Sequence, residues 1–277
     1  MIALITMTGA RPDQFELCAR WMENQTYKGN VTWIIVDDAE PRTTDCVPAG
    51  FNGWDIRKIY PTPSWVEGQN TQCRNLLAGL NELDKIPDVE ACLIIEDDDY
   101  YKPQYISEMV KRMGSYDVIG ETHTIYYNVN NRTYVRNNNS YHASLFQVGF
   151  HPRVTELIKE SCYIKTHDYI DLRIFQLVKN VGLFRAGDLA IGMKGIPGRG
   201  GIGVGRVMQG IDDFEMKKLH EFVGKDFRTY IKYYKTNVEQ PVKKFNPNTA
   251  LSKNGMFENA KPKRNINDSA LYPTIFK

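Results

Sequence analysis

Residues 91–103, ACLIIEDDDYYKP, place four consecutive acids, Glu96 to Asp99, directly after a short apolar run. An apolar run of this length between polar residues predicts a buried strand. Because like charges this close repel one another, the cluster needs a compensating partner, and a divalent cation with oxygen ligands suits it. Ligand sites of open α/β sheets lie beyond the carboxyl ends of strands. We therefore expect a Mg²⁺ or Mn²⁺ site that holds a phosphate-bearing substrate, with a solvated acidic loop as the alternative.

The first 115 residues alternate between predicted strands and helices. Apolar runs predict strands over residues 2–7, 30–36, 56–60 and 92–95. Helices are expected from Pro12 onward, over 69–83 and over 103–113; in the first, Phe15, Cys18, Ala19 and Met22 have helical spacing. This alternation predicts an α/β fold with a mainly parallel, Rossmann-like sheet and crossover helices.

Beyond residue 115 the pattern changes. Strands are predicted over residues 116–120, 122–127, 133–136 and 143–150, with a hairpin turn at 128–131. Helices are predicted over residues 153–160, 167–179, 213–223 and 226–234, and a glycine-rich loop over 195–205. From residue 239, Pro, Asn and Lys dominate, which predicts an extended basic C-terminal tail over 239–277.

Composition narrows the class of protein. The 277 residues are 42% hydrophobic and 25% charged, which is typical of a globular protein. The net charge of +2 argues against nucleic-acid binding by the chain as a whole. The five cysteines are scattered, as expected for free thiols in a reducing compartment. No signal peptide or apolar span is evident, so we expect a cytoplasmic protein without a membrane span.

A second acid pair, Asp37 and Asp38, ends the second predicted strand. The carboxyl ends of parallel strands lie on one edge of a sheet, so this pair should lie near the acid run. Arg74, at the start of the helix before the acidic strand, could reach a phosphate there. The alternatives are a turn-forming or helix-capping pair of acids and an ordinary surface arginine.

These motifs follow one another in the order Val36-Asp37-Asp38, Asn70…Arg74-Asn75 and Ile95-Glu96-Asp97-Asp98-Asp99-Tyr100…Pro103. Over roughly residues 1 to 185 this order resembles nucleotide-sugar glycosyltransferases of the GT-A fold, particularly the family-two enzymes. The resemblance implies a nucleotide-sugar-binding half (1–115) and an acceptor-binding, catalytic half (116–238) of one domain. Glu96 stands where that family usually has the first Asp of its Asp-x-Asp motif.

The resemblance also implies roles for individual residues. A UDP-sugar is the expected donor, and its binding residues are expected to be Thr8, Arg11, Asp37, Asp38, Arg74 and Asp97. Mn²⁺ or Mg²⁺, neutralising the leaving diphosphate, would be bound by Asp98 and Asp99 together with His220, or with Asp212 and Asp213 in its place. His220 has the alternative of an ordinary surface or packed histidine.

The catalytic base is expected at the start of the helix predicted over 167–179. The resemblance puts it on Asp168, beside His167, and implies single displacement with inversion. The alternative is that Asp168 is an N-terminal acid that interacts with the helix dipole.

Residues 194–206, KGIPGRGGIGVGR, form the other unusual stretch. The glycines match G-x-G-x-x-G formally, but they lie late in the chain and outside an evident βαβ unit, and there is no P-loop motif. Lys194, Arg199 and Arg206 instead predict a mobile basic loop that closes over a phosphate. A flexible linker is the alternative.

The acceptor is less well defined by the sequence. Basic residues interleaved with aromatic ones follow residue 224, a pattern that suits nucleic acid. They include Lys225, Arg228, Lys232, Lys235, Lys243, Lys244, Lys253, Lys261, Lys263 and Arg264. The compact chain also resembles bacteriophage enzymes that glycosylate DNA, so hydroxymethylated bases in DNA are one candidate acceptor. A glycan, protein or small-molecule acceptor, a sugar nucleotidyltransferase and a non-catalytic binding module remain alternatives.

Overall fold

The computed structural model describes residues 1–163, 169–199 and 210–234. In chain order the strands are β1 (Ile2–Thr8), β2 (Val31–Asp37), β3 (Asp55–Ile59), β4 (Ala91–Ile94), β5 (Tyr100–Tyr101), β6 (Val118–Glu121), β7 (His123–Asn128), β8 (Thr133–Asn138), β9 (Val148–Phe150), β10 (Val181–Phe184), β11 (Ala190–Lys194) and β12 (Ile211–Asp212). The α-helices are α1 (Pro12–Glu23), α2 (Gln72–Leu83), α3 (Tyr105–Met113), α4 (Thr155–Ser161), α5 (Ile170–Leu177), α6 (Lys217–Val223) and α7 (Phe227–Ile231).

The main sheet has seven strands in the order β10-β6-β9-β4-β1-β2-β3. Strands β4, β1, β2 and β3 are parallel, whereas β9 runs antiparallel to its neighbours β4 and β6. The predicted mainly parallel α/β sheet is confirmed. Parallel pairing brings the ends of β1 and β2 together, with Thr8 opposite Asp37.

Both faces of this sheet are covered, which explains why its central strands are apolar throughout. Ile2 and Leu4 face one core together with residues of α1 and α3, and Ala3 and Ile5 face the other with residues of α2, α4 and α5. Close packing is evident at Gly79 of α2, where a Cβ atom would lie 2.7 Å from a methyl group of Ile5. Successive side chains of β1 point to opposite faces of the sheet, and each face is covered by helices.

A second sheet of five strands, in the order β12-β8-β7-β11-β5, contains the predicted hairpin of β7 and β8. Strand β11 is parallel to β7 and antiparallel to β5. Strand β5 begins immediately after the acid run that follows β4. The acid run therefore connects the two sheets.

The sequence interpretation was wrong about residues 143–150, which are not one strand. A 3₁₀ turn, Leu145–Gln147, precedes the short β9. The backbone N–H of Gln147 donates to the carbonyl oxygen of Ser144 at 2.8 Å and closes this turn, and the buried Gln147 side chain accepts a hydrogen bond from the Thr124 hydroxyl at 2.8 Å. The helix predicted over 213–223 begins later, at Lys217, because the Asp213 carboxylate accepts hydrogen bonds from the backbone N–H groups of Lys218 and Leu219.

Four short strands, β5, β10, β11 and β12, were not predicted. Of these β11 matters most, because Lys194 is its last residue and not part of a mobile loop. The five cysteines are free thiols, as expected. Within the described ranges, the helices are too short or too polar to cross a membrane. The predicted tail over 239–277 lies outside the described residues and stays a prediction.

Candidate functional site

The acid run lies at the carboxyl end of β4, between the two sheets. Asp97 and Asp99 are buried, and Glu96 and Asp98 are partly exposed. The backbone N–H of Glu96 donates to the Tyr101 hydroxyl at 2.8 Å, which anchors the turn at its start. The buried strand and the turn therefore keep the carboxylates of Asp97 and Asp99 away from solvent.

Arg11, from the turn between β1 and α1, neutralises one side of the run. Its Nη1 lies 2.5 Å from Oδ1 of Asp97 and 3.7 Å from Oδ1 of Asp98. The Thr8 hydroxyl donates to the other oxygen of Asp97 at 2.7 Å. Burial by itself lowers the pKa of Arg11, but the two carboxylates raise it more, so the guanidinium stays charged. Three residues of the expected donor set, Thr8, Arg11 and Asp97, are thus brought together.

Lys194, at the end of β11, neutralises the other side. Its ammonium lies 3.0 Å from Oδ1 of Asp99 and 3.4 Å from Oδ2 of Asp98. The backbone N–H of Met193 also donates to Oδ1 of Asp99, at 2.9 Å. Burial by itself lowers the pKa of Lys194, but Asp98 and Asp99 raise it more. Two side chains of the chain itself therefore offset the repulsion for which the sequence suggested a metal ion.

Burial nevertheless has the largest effect on the pKa values of these carboxyl groups. It raises the pKa of Asp99 to about 7, with Asp98 adding to the rise and Lys194 opposing it. Burial also raises the pKa of Asp97, against the effect of Arg11. The pKa of Glu96 is raised well above its usual range by burial and then by Asp99 and Asp98. The cluster is thus held in a low-dielectric setting, which favours the protonated form of its carboxyl groups.

The second acid pair is also buried, and each of its members has structural partners. Asp37 accepts hydrogen bonds from the backbone N–H groups of Ala39, at 3.1 Å, and Thr43, at 2.7 Å. Asp37 therefore fixes the loop that follows β2.

Asp38 is the centre of a larger network. Its Oδ2 accepts from Thr71 at 2.5 Å, Arg74 at 3.0 Å and Asn75 at 2.7 Å, and its Oδ1 accepts from Arg199 at 2.8 Å. Arg74 thus contacts Asp38, its expected neighbour in the donor set. This dense pairing means that Asp38 organises the site around it.

The two acid clusters lie at the same edge of the sheet, as predicted, and two arginines link them. Arg11 Nε donates to the carbonyl oxygen of Arg199 at 2.9 Å, and Arg199 in turn pairs with Asp38. The Arg199 guanidinium also lies over the Trp65 ring, 4.6 Å from its centroid. Gly9 allows this close assembly, because a Cβ atom there would lie 2.0 Å from Asp38 Oδ1.

A divalent cation fits the chemistry of the acid run. Oδ2 of Asp99 is buried and accepts no hydrogen bond from the residues that the structure describes. Across residues 1–163, 169–199 and 210–234, no three His, Cys, Asp or Glu side chains form a metal-binding group. Mg²⁺ is commonly bound by one or two carboxylates and by substrate phosphates, so Asp98 and Asp99 suit such a site. His220 is exposed on α6, with its ring edge-on to Phe227 at 4.8 Å.

The expected catalytic residues, His167 and Asp168, and the loop residue Arg206 lie outside the described residues. The structure does describe Asp171, in the first turn of α5, whose carboxylate accepts from the backbone N–H of Leu172 at 2.8 Å. Burial raises the pKa of Asp171, and the charge of His142 opposes this rise. The acid at the helix start was visible in the sequence, but its half-buried position was not.

Sequence reasoning missed three further contributors to the site. Thr71 bonds both Asp38 and Arg199, Trp65 stacks on Arg199, and Gln72 donates to Glu96 at 2.9 Å. Thr71 and Gln72 stand at the start of α2, where polar side chains commonly face a ligand edge. That position is the signal by which they could have been found.

Comparisons with known proteins give one informative result. No family model matches the chain, and no curated protein matches it. Among solved structures it is similar to TarS of S. aureus, with 12% identity, a TM-score of 0.50, and coverage of 70% of this chain and 37% of TarS. It is also similar to TarS residues 1–349 in complex with UDP-GlcNAc, with 14% identity, a TM-score of 0.50, and coverage of 73% and 60%.

The chain therefore spans between 37% and 60% of the length of these TarS structures. TarS is a glycosyltransferase of the GT-A type. At these identities the likeness concerns the fold, and it confirms the predicted fold class: this chain has a GT-A-type α/β fold with a second, smaller sheet.

Proposed function

We propose that this chain is a glycosyltransferase that moves a sugar from a nucleoside-diphosphate sugar, with a UDP-sugar as donor, to a hydroxyl acceptor. The observation that carries the proposal is the pairing of the acid run with Arg11 and Lys194 at the carboxyl end of β4. The similarity of its fold to that of TarS, which was solved in complex with UDP-GlcNAc, supports the proposal. In open α/β folds, ligands bind at this edge of the sheet.

The charged side chains suit a diphosphate. Arg11, Lys194 and Arg199 bring three cations to one edge of the sheet, where phosphate oxygens can accept charge-assisted hydrogen bonds. Asp98 and Asp99 would hold Mn²⁺ or Mg²⁺, which when bound neutralises charge on the departing diphosphate. Asp38, through Thr71 and Arg74, keeps the surrounding loops in position for the donor.

The proposed transfer is a single displacement with inversion. The acceptor oxygen forms a bond to the anomeric carbon as the bond from that carbon to the phosphate oxygen breaks. The nucleoside diphosphate leaves with the electron pair, and the acceptor proton passes to Asp168. Asp171, which the structure describes, is the alternative base, and its role must be tested beside that of Asp168.

Donor binding is tested by a thermal-shift panel of UDP, GDP, CDP and ADP with and without Mn²⁺. A bound ligand stabilises the folded state in proportion to the logarithm of its concentration over Kd. We expect UDP with Mn²⁺ to give the largest rise in Tm, and Asp98→Asn to reduce it. Asp188→Asn, in a half-exposed pair with Lys102, is the control. If no nucleotide raises the Tm, the transferase proposal fails.

The base is tested with Asp168→Asn and Asp171→Asn. Both variants should bind UDP as the natural chain does, and Asp168→Asn should lose transfer activity because the acceptor proton then has no base. Full transfer activity in Asp168→Asn, with loss in Asp171→Asn, would move the role to Asp171.

DNA with hydroxymethylated bases is the acceptor that we propose to test first. The described part of the chain carries Lys225, Arg228 and Lys232 near its end, while Lys217 and Lys218 are paired with glutamates. Incubation with a UDP-sugar panel and duplex DNA containing 5-hydroxymethylcytosine should add one sugar mass per modified base. No mass gain would reject this acceptor and leave the donor proposal standing. Formation of a UDP-sugar from UTP and a sugar phosphate would indicate a nucleotidyltransferase instead.

A further inference from the structure

Lys194 occupies an unusual position for a lysine. It ends β11, its side chain is only 8% exposed, and its ammonium also lies 5.7 Å from the centroid of the Tyr126 ring. The same ammonium contacts Asp98 and Asp99, which are the two carboxylates suited to a divalent cation. A buried lysine is therefore paired with the acids that a metal ion would use.

Arg11 shares Asp98 with Lys194, but its main partner is Asp97 and not Asp99. It bonds Asp97 at 2.5 Å and lies 3.7 Å from Asp98, on the side of β1. Asp99 therefore has Lys194 as its cationic partner in the described site, and its second oxygen, which is fully buried, has no hydrogen-bond donor among the residues described. This orphaned oxygen is an independent sign that Asp99 can accept a further ligand.

We propose that Lys194 and a divalent cation compete for Asp98 and Asp99, so that metal binding displaces the lysine ammonium from these carboxylates. Two cations that share the same oxygens in a low-dielectric site repel each other. Lys194 thereby lowers the affinity of the donor-free protein for metal and keeps the acid run folded without it. This inference deepens the proposed function and rests on it in one respect, the use of Asp98 and Asp99 as metal ligands.

The test is Mn²⁺ binding to the full chain without donor, measured by electron paramagnetic resonance of free Mn²⁺ at about pH 8. Lys194→Met should bind Mn²⁺ more tightly than the natural chain, by about tenfold or more, because a like charge has been removed. Lys194→Arg, which keeps the charge, should not. Lys102→Met is the matched control, since Lys102 pairs with Asp188 outside the acid run. Equal or weaker binding by Lys194→Met, or no binding by any form, overturns the proposal.

A second measurement uses the natural chain and does not depend on the folding of Lys194→Met. The side-chain ¹⁵N resonance of Lys194, assigned with Lys194→Arg, should shift on titration with Mg²⁺, while that of Lys102 stays unchanged. A Lys194 resonance that does not move while Mg²⁺ binds overturns the competition. Neither experiment contains a nucleotide. Absence of nucleotide binding in the thermal-shift panel would therefore reject the proposed function, whereas the metal-binding results alone decide whether Lys194 and the cation compete.

Discussion

At the scale of single residues, Arg11 is the site residue whose substitution should affect the protein most. It is mostly buried and pairs with Asp97, which is 1% exposed. Removing one partner of a buried ion pair leaves the other charge unpaired in a medium of low dielectric. Arg11 is therefore expected to support both the fold and the binding of a diphosphate.

We expect Arg11→Met to lower the free energy of unfolding by about 3 kcal/mol or more, because Asp97 loses its buried partner. Urea denaturation measures the change. In the double variant Arg11→Met/Asp97→Asn most of this loss should be recovered, because the unpaired charge is gone. Arg57→Met is the comparison: its solvent-accessible pairs with Asp55 and Glu82 are worth about 1 kcal/mol or less each. Equal losses in the two single variants would contradict the assignment.

Glu121 is a second informative residue, away from the acid run. Its buried carboxylate accepts hydrogen bonds from the backbone N–H groups of His123, Ala186 and Gly187. Burial raises its pKa, and these three donors oppose the rise. The folded chain therefore holds this proton to a higher pH than the unfolded chain does.

It follows that Glu121 lowers the stability of the folded chain as the pH rises from the unfolded-state pKa, near 4.3, through the folded-state pKa. Glu121→Gln removes this effect. We expect the free energy of unfolding of the variant, relative to the natural chain, to rise as the pH increases above about 4. Denaturation series at several pH values check this. A difference that stays flat or falls would contradict it.

At the scale of elements, the turn between β1 and α1 decides how the two acid clusters meet. Gly9 has a φ of +148° and lies against the Asp38 carboxylate. Its neighbours Thr8 and Arg11 reach Asp97. One short turn therefore holds residues that contact both clusters.

Gly9→Ala should cost about 2 kcal/mol or more, because the methyl group adds a clash with Asp38 to the strain of a left-handed backbone. Gly50→Ala is the control: Gly50 has a φ of +73°, but its surroundings are open, so it carries the strain alone. Thermal denaturation gives the two losses, and UDP titration should show weaker binding for Gly9→Ala. A Gly9→Ala variant as stable as Gly50→Ala would show that the contact with Asp38 can relax.

At the scale of the whole molecule, the described C-terminal helices pack against the first helix. Tyr230 of α7 stacks on Trp21 of α1 with ring centroids 6.1 Å apart, and Trp21 meets Tyr100 edge-on at 4.9 Å. Tyr100 comes directly after the acid run. This aromatic group thus connects α1, near the start of the chain, and α7, near the end of the described chain, to β5, which follows the acid run.

We expect Tyr230→Ala to lower the free energy of unfolding by about 3 kcal/mol, as for other large aromatic side chains removed from cores. The loss should appear in one cooperative transition, monitored by circular dichroism and tryptophan fluorescence. Tyr141→Ala, at a position 75% exposed, is the control and should change stability little. A separate early transition in Tyr230→Ala would mean that α6 and α7 unfold independently of the sheets.

Much of the architecture could be predicted because it depends on local patterns. Apolar runs identified β1, β2 and β4, and helical spacing identified α1, since burial on both sheet faces or on one helix face selects these residues. The two-residue strands β5 and β12 were missed, because a segment so short carries no periodicity. Strand β11 was missed because Gly192 interrupts its apolar run just before the glycine-rich stretch. Their pairing depends on partners elsewhere in the chain.

The site, like the fold, was predictable in part from the sequence. The sequence by itself determined that Asp37, Asp38 and the acid run end parallel strands and must share one edge of the sheet. Only the tertiary structure decided which cations meet them: Lys194 is 95 residues from Asp99, and Arg199 is 161 residues from Asp38. The physical reason is that parallel pairing follows from local burial, whereas an ion pair between distant segments depends on how the second sheet packs against the first.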